Sequence, residues 1–220
     1  MRLQAVLFDL DGTLADSEAL IADGIRLALK EHGYEVTFQQ VMDILGPPMT
    51  EMVPALVGPV GPEEYQSIRA AYVRNYHEVQ LPNIQPLPGA PELLDRLEAA
   101  GVPLAVVTNK IEEGAYEQLD AMGWTPRFAA VIGADSAAKP KPFPDPALLA
   151  LERIGVAAES AAFLGDTGAD MECSKSAGIP VRIGMVHARS PQAMEAAGAT
   201  HLARHLDEAA AVLFEHVAAR

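Results

Sequence analysis

Apolar and polar positions follow two different rhythms along this chain. Val6, Leu7 and Phe8 form a short unbroken apolar run, closed by Asp9, Asp11 and a Gly12-Thr13 turn, which predicts a buried strand running into a loop. From residue 18 the period becomes helical. In EALIADGIRLALKEHG, Leu20, Ile21, Ile25, Ala28 and Leu29 make one stripe, Asp16 or Ser17 can cap its start, and Gly33 can end it. Short helical pieces follow, divided by Gly46-Pro47-Pro48 and by GPVGP at 58–62. A longer helix is predicted through EEYQSIRAAYVRNYHEV, with Tyr65, Ile68, Tyr72, Tyr76 and Val79 on one face. No strand is predicted between 18 and 80, and the proline-rich LPNIQPLPG at 81–89 reads as a hinge or linker.

From residue 90 strands and helices alternate. Helix PELLDRLEAAG precedes strand VPLAVVTN, helix EEGAYEQLDAMG precedes AAVIGAD, PALLALERIG precedes AAFLGD, and ADMECSKSAG precedes PVRIG. A helix around SPQAMEAAG, a short strand THLA and the helix DEAAAVLFEHV complete the pattern. Such alternation implies right-handed crossovers and a parallel sheet with helices on both faces, an α/β Rossmann-like core. The first strand belongs to this sheet, so the helical segment is an insertion after it. The expected domains are a core of residues 1–16 and 88–220 and a helical domain of 17–82, with hinges at 12–17 and 80–89.

Composition narrows the functional classes. Of 220 residues 50% are hydrophobic, enough for a full globular core. No apolar run reaches the ~18 residues of a membrane span. The opening MRLQAVLFDLDG lacks a signal-peptide layout, and the single cysteine, Cys173, excludes an internal disulfide, so a cytoplasmic protein is expected. A net charge of −14 speaks against a nucleic-acid partner and means that an anionic substrate needs a local positive site.

Ligands of open α/β sheets bind at the carboxyl ends of the strands, so the polar residues there are the candidates. They are Asp9 and Asp11 after the first strand, Thr108 and Asn109 with Lys110 after LAVV, Lys139 and Lys141 in AAKPKPFPDP, and Asp166 with Asp170 after AAFLG. Carboxylates without suitably placed cysteine or histidine make a hard oxygen site suited to Mg²⁺. A hydroxyl, backbone N–H groups and an ammonium suit a phosphoryl group. Two acids can then share one strand end: a cation and a lysine offset their charge, one acting as nucleophile and the other moving a proton.

FDLDGTLADSE, VVTNK, KPFPDP and GDTGAD, in that order, resemble the motifs of the haloacid dehalogenase superfamily of phosphohydrolases, closest to its phosphoglycolate phosphatase-like members. The resemblance covers nearly the whole chain and implies that the helical insertion is an α-helical cap. It implies Mg²⁺-dependent hydrolysis of a small phosphomonoester, alongside the absence of a nucleic-acid or membrane partner expected from charge and hydropathy. Asp9 matches the nucleophile that becomes an aspartyl phosphate, and Asp11 the acid/base that also lends the metal its backbone carbonyl. Thr108 and Asn109 match the phosphate-binding segment. Lys141 matches the neutralising lysine, with Lys139 as the fallback, and Asp166 and Asp170 complete the metal site with Asp9 and Asp11. The alternative within the superfamily is a phosphomutase of the β-phosphoglucomutase type. Dehalogenase chemistry fits poorly because Asp11 is present, and a phosphonatase needs a cap lysine, for which only Lys30 is available. Cys173 and the tyrosines read as packing residues, Arg26, Arg69 and Arg74 as a solvated face, and His187 and Arg189 as loop residues.

Overall fold

The computed structural model describes residues 2–186 and 190–217; His187 and Arg189 lie outside the described residues. The chain opens with β1 (Ala5–Phe8) and β2 (Ala15–Asp16), then runs through α1 (Glu18–Glu31), α2 (Phe38–Asp43), α3 (Met49–Val57), α4 (Pro62–Asn75), a π turn at Tyr76–Gln80 and the single turn α5 (Leu81–Asn83). After β3 (Gln85–Pro86) it alternates: α6 (Ala90–Ala99), β4 (Leu104–Val107), α7 (Glu112–Ala121), β5 (Ala130–Ile132), α8 (Asp145–Ile154) and β6 (Ala161–Gly165). It ends with α9 (Gly168–Ser176), β7 (Val181–Met185), α10 (Pro191–Ala197), β8 (His201–Ala203) and α11 (Leu206–His216). Two units result, one of Met1–Ala15 with Pro86–Arg220 and one of Asp16–Gln85.

The first unit is an α/β fold. Its sheet has six parallel strands in the order β5-β4-β1-β6-β7-β8. All four residues of β1 are buried, although successive side chains point to opposite faces, so both faces are covered. On one face Ala5, Leu7, Ala105, Val107 and Phe163 pack against Ala147, Ala150 and Leu151 of α8 and Cys173 of α9. The strand order reverses where β1 lies between β4 and β6, and such a reversal opens a crevice at the carboxyl ends of the strands.

The second unit is helical. Ile21, Ala22, Ile25, Ala28 and Leu29 of α1 pack with Val41, Met52, Val53, Ile68 and Ala71 in one apolar cluster. Ser17 stands at the N-cap position of α1 without making the side-chain cap bond. Two details differ from the sequence pattern. The segment predicted as one helix through Val79 is α up to Asn75 and then widens into the π turn, which rotates the following side chains, so Val79 is exposed while Tyr76 is buried. The stretch 81–89 is not a bare linker, because α5 and β3 lie within it.

Candidate active site

Three strands at the centre of the sheet each end on a polar residue. The runs AVLF, LAVV and AAFLG are wholly buried, and Asp9, Thr108 and Asp166 come one residue after them. The ladder holds two of them directly: the Asp9 N–H donates to Leu164 O at 2.9 Å and the Thr108 N–H to Ile132 O at 2.9 Å. The loop after β1 passes close to β6. Gly12, at φ +75°, faces Asp166 so tightly that a Cβ there would lie 2.7 Å from Asp166 Oδ2. Thr13 Oγ1 donates to Asp166 Oδ1 at 3.2 Å.

A third acid arrives from the first turn of α9. The Thr167 hydroxyl and N–H both donate to Asp170 Oδ2, at 2.6 and 2.9 Å, so Asp170 is the inward partner of a capping box. Its other oxygen accepts from Lys141 Nζ at 2.6 Å. That ammonium also meets Asp9 Oδ1 at 2.9 Å and Val107 O at 2.9 Å, which occupies all three of its donors. Lys141 is buried, whereas Lys139 is exposed and lies over the Phe143 ring, 4.3 Å from its centroid. Of the two lysines, the structure brings Lys141 to the carboxylates.

Carboxylate oxygens of Asp9, Asp166 and Asp170 all lie within 4.8 Å of one another. Burial pushes the Asp9 carboxyl up to about 7, aided by the Asp170 charge and opposed by Lys141. Burial works against the Lys141 charge, but Asp170 and Asp9 outweigh it and hold that ammonium above the usual lysine range. Three buried acids around one ammonium leave an excess of negative charge that a single divalent cation would balance. With oxygen as the only donor type, the set fits a hard ion.

The Asp11 carboxylate stands apart from this cluster; the part expected of Asp11 toward the metal is its backbone carbonyl. Its Oδ1 accepts from Gln118 Nε2 at 3.0 Å and its Oδ2 pairs with Lys110 Nζ at 3.1 Å. Thr108 Oγ1 accepts the Lys110 N–H at 3.2 Å, and Asn109 Nδ2 donates to Lys141 O at 3.3 Å. Thr13, Thr167 and Gln118 were not singled out from the sequence. Thr167 had a signal in the Thr-x-x-Asp spacing before a helix. Gln118 had one as the polar member of the buried stripe Ala115, Gln118, Leu119 on α7. Cys173 is fully buried, and burial pushes its thiol up to about 12, in keeping with packing. Arg26 pairs with Asp23 and Arg74 with Glu31, each at 2.6 Å, at the surface of the helical unit.

The model of the haloacid dehalogenase-like hydrolase family matches residues 6–183, a span that contains all four strand-end groups. The chain belongs to this family. Among its curated relatives is a phosphoglycolate phosphatase of Aquifex aeolicus, 35% identical over 80% of this chain and 82% of that one. An N-acetylmuramic acid 6-phosphate phosphatase of Pseudomonas aeruginosa is 34% identical over 85% of each. The crystal structure of a hydrolase from Pseudomonas syringae shares the fold, with a TM-score of 0.86 at 22% identity over 98% of this chain and 100% of that one. The chain is therefore a hydrolase of this family.

Proposed function

We propose that this hydrolase cleaves small phosphomonoesters with Mg²⁺ through an aspartyl phosphate on Asp9. The observation that carries the reading is the Lys141 ammonium shared by Asp9 and Asp170, beside a third carboxylate, at the ends of the central strands. Mg²⁺ held by Asp9, Asp166 and Asp170, with the main chain of Asp11, would neutralise phosphoryl oxygens and keep Asp9 ionised at neutral pH.

The chain's own residues divide the remaining work. An Asp9 oxygen attacks phosphorus in line with the leaving oxygen, and the P–O bond to the alcohol breaks as Asp11 gives that oxygen a proton. Asp11, now a carboxylate, takes a proton from water as the water attacks phosphorus. The bond from phosphorus to Asp9 breaks, releasing inorganic phosphate and restoring both acids. Lys141, the Thr108 hydroxyl and the Asn109 amide hold the transferring group and neutralise its charge. The helical unit, inserted directly after the β1 loop, serves as the cap that selects the leaving group. Among the described residues no helix is long and apolar enough to cross a membrane. The one buried thiol supports work in the cytoplasm.

Phosphoglycolate and N-acetylmuramic acid 6-phosphate, the compounds in the two relatives' names, are both phosphomonoesters that carry a carboxylate. Esters of this class are the substrates proposed here. Phosphate release should be measured from these two, from glycerol phosphate and from N-acetylglucosamine 6-phosphate, with Mg²⁺ or EDTA, for wild type and Asp9→Asn. Turnover favouring the carboxylate-bearing esters, stopped by EDTA and by the substitution, is the expected result. Release that survives Asp9→Asn would sink the nucleophile assignment. Phosphate transfer between sugar hydroxyls, seen only with an added bisphosphate, would turn the reading into a mutase.

A further inference from the structure

We infer that Gln118 is a positioning residue for proton transfer by Asp11, which rests on the reading of Asp11 as the acid of the first step. The side chain of Gln118 projects from the buried face of α7, beside Ala115 and Leu119, and the residue has no exposed surface. Its Nε2 donates to Asp11 Oδ1 at 3.0 Å, while Lys110 Nζ holds Oδ2 at 3.1 Å. One carboxylate is thus gripped at both oxygens by side chains from two different segments, the loop after β4 and the helix that follows. Two separate grips leave a short side chain on a turn with a single orientation.

The other end of the amide shows that packing does not account for this residue. Gln118 Oε1 is buried and has no hydrogen-bond partner among the described residues. A leucine or methionine would fill the same space on the apolar stripe without stranding a buried acceptor. What the amide provides and those residues do not is the N–H aimed at Asp11. Its purpose is therefore the placement of that carboxylate, at some cost to folding.

The test uses leaving-group dependence. An alkoxide needs a proton as it departs, whereas p-nitrophenolate is stable without one. If Gln118 places the acid, Gln118→Met should lower kcat/KM for the best alkyl ester by about 10–100-fold, a part of the roughly 10²–10⁴-fold that general-acid catalysis contributes. It should lower kcat/KM for p-nitrophenyl phosphate by less than about threefold. Because kcat/KM reports steps up to the first irreversible one, it isolates the phosphorylation of Asp9. Gln118→Leu, of different shape, should give the same split, and the thermal midpoint of either variant should equal or exceed that of wild type. An equal loss on both esters, or no loss on either, overturns the inference. Asp11→Asn separates it from the parent reading. If Asp11→Asn shows the split and the Gln118 variants do not, the role of Gln118 fails alone; if Asp11→Asn shows none, the acid assignment fails and takes Gln118 with it.

Discussion

At Asp9 two demands conflict. A nucleophile must be ionised, yet burial and the Asp170 charge push this carboxyl up to about 7. Folding therefore favours the protonated form. As pH rises from about 4 to 7 in EDTA, ionising Asp9 costs stability, because the folded chain binds that proton more tightly than the unfolded one. Asp9→Asn removes the term. The variant should match wild type in urea unfolding below about pH 4 and gain on it, by up to a few kcal/mol, at pH 8 without cation. With Mg²⁺ present its kcat should fall by about 10⁴-fold or more. A stabilised but inactive variant would show that the position is kept for chemistry. Lys141 has the opposite sign. Its raised ionisation contributes stability at every pH below about 10.5, and that contribution fades only as pH rises further. Lys141→Met strands two buried carboxylates, so a loss of about 3–5 kcal/mol at pH 7 is expected in the same unfolding assay.

At the scale of elements, the site depends on the join between β6 and α9. Gly165 ends the strand with no room for a side chain, since a Cβ there would lie 2.4 Å from Asp170 Cβ and Cγ. Gly165→Ala must move either the strand end or the helix start. A cost of about 1–3 kcal/mol is expected, with kcat reduced more than the thermal midpoint suggests, because Asp170 is displaced from Lys141. Thr167→Ala loses the side-chain cap of α9 and the hydroxyl's bond to Asp170, while the main-chain N–H still donates to that carboxylate; about 1 kcal/mol of stability should go, read by chemical denaturation. Much of this scale was legible beforehand. Apolar runs of four or five residues, too short for a helix and closed by turn residues, read as buried strands that surface at their carboxyl ends. The π turn was not legible, since helical periodicity carries no mark for one widened turn, and Val79 was misplaced for that reason.

For the whole molecule, the balance of charge in the core links stability to cation. Three buried acids and one lysine should make the protein bind a divalent ion in the folded state alone. Mg²⁺ at about a hundred times its dissociation constant would then add roughly 2.7 kcal/mol, seen as a rise in thermal midpoint over EDTA. The rise should be larger at pH 8 than at pH 5.5, where Asp9 holds its proton, and much smaller in Asp9→Asn. An equal rise in wild type and variant would place the ion elsewhere.

The order of strands and helices, the helical insertion after β1 and the identity of the acids at strand ends were all set by the sequence, because local periodicity and the chemistry of single residues determine them. Which of Lys139 and Lys141 meets the acids was not, because both are followed by proline and only the fold buries one of them. The split between Asp11 and the other carboxylates, and the grip of Gln118 and Lys110 on it, came from the tertiary structure alone. Residues 107 positions apart meet there, and no local pattern records a pairing that exists only once β1, β4 and α7 have been packed side by side.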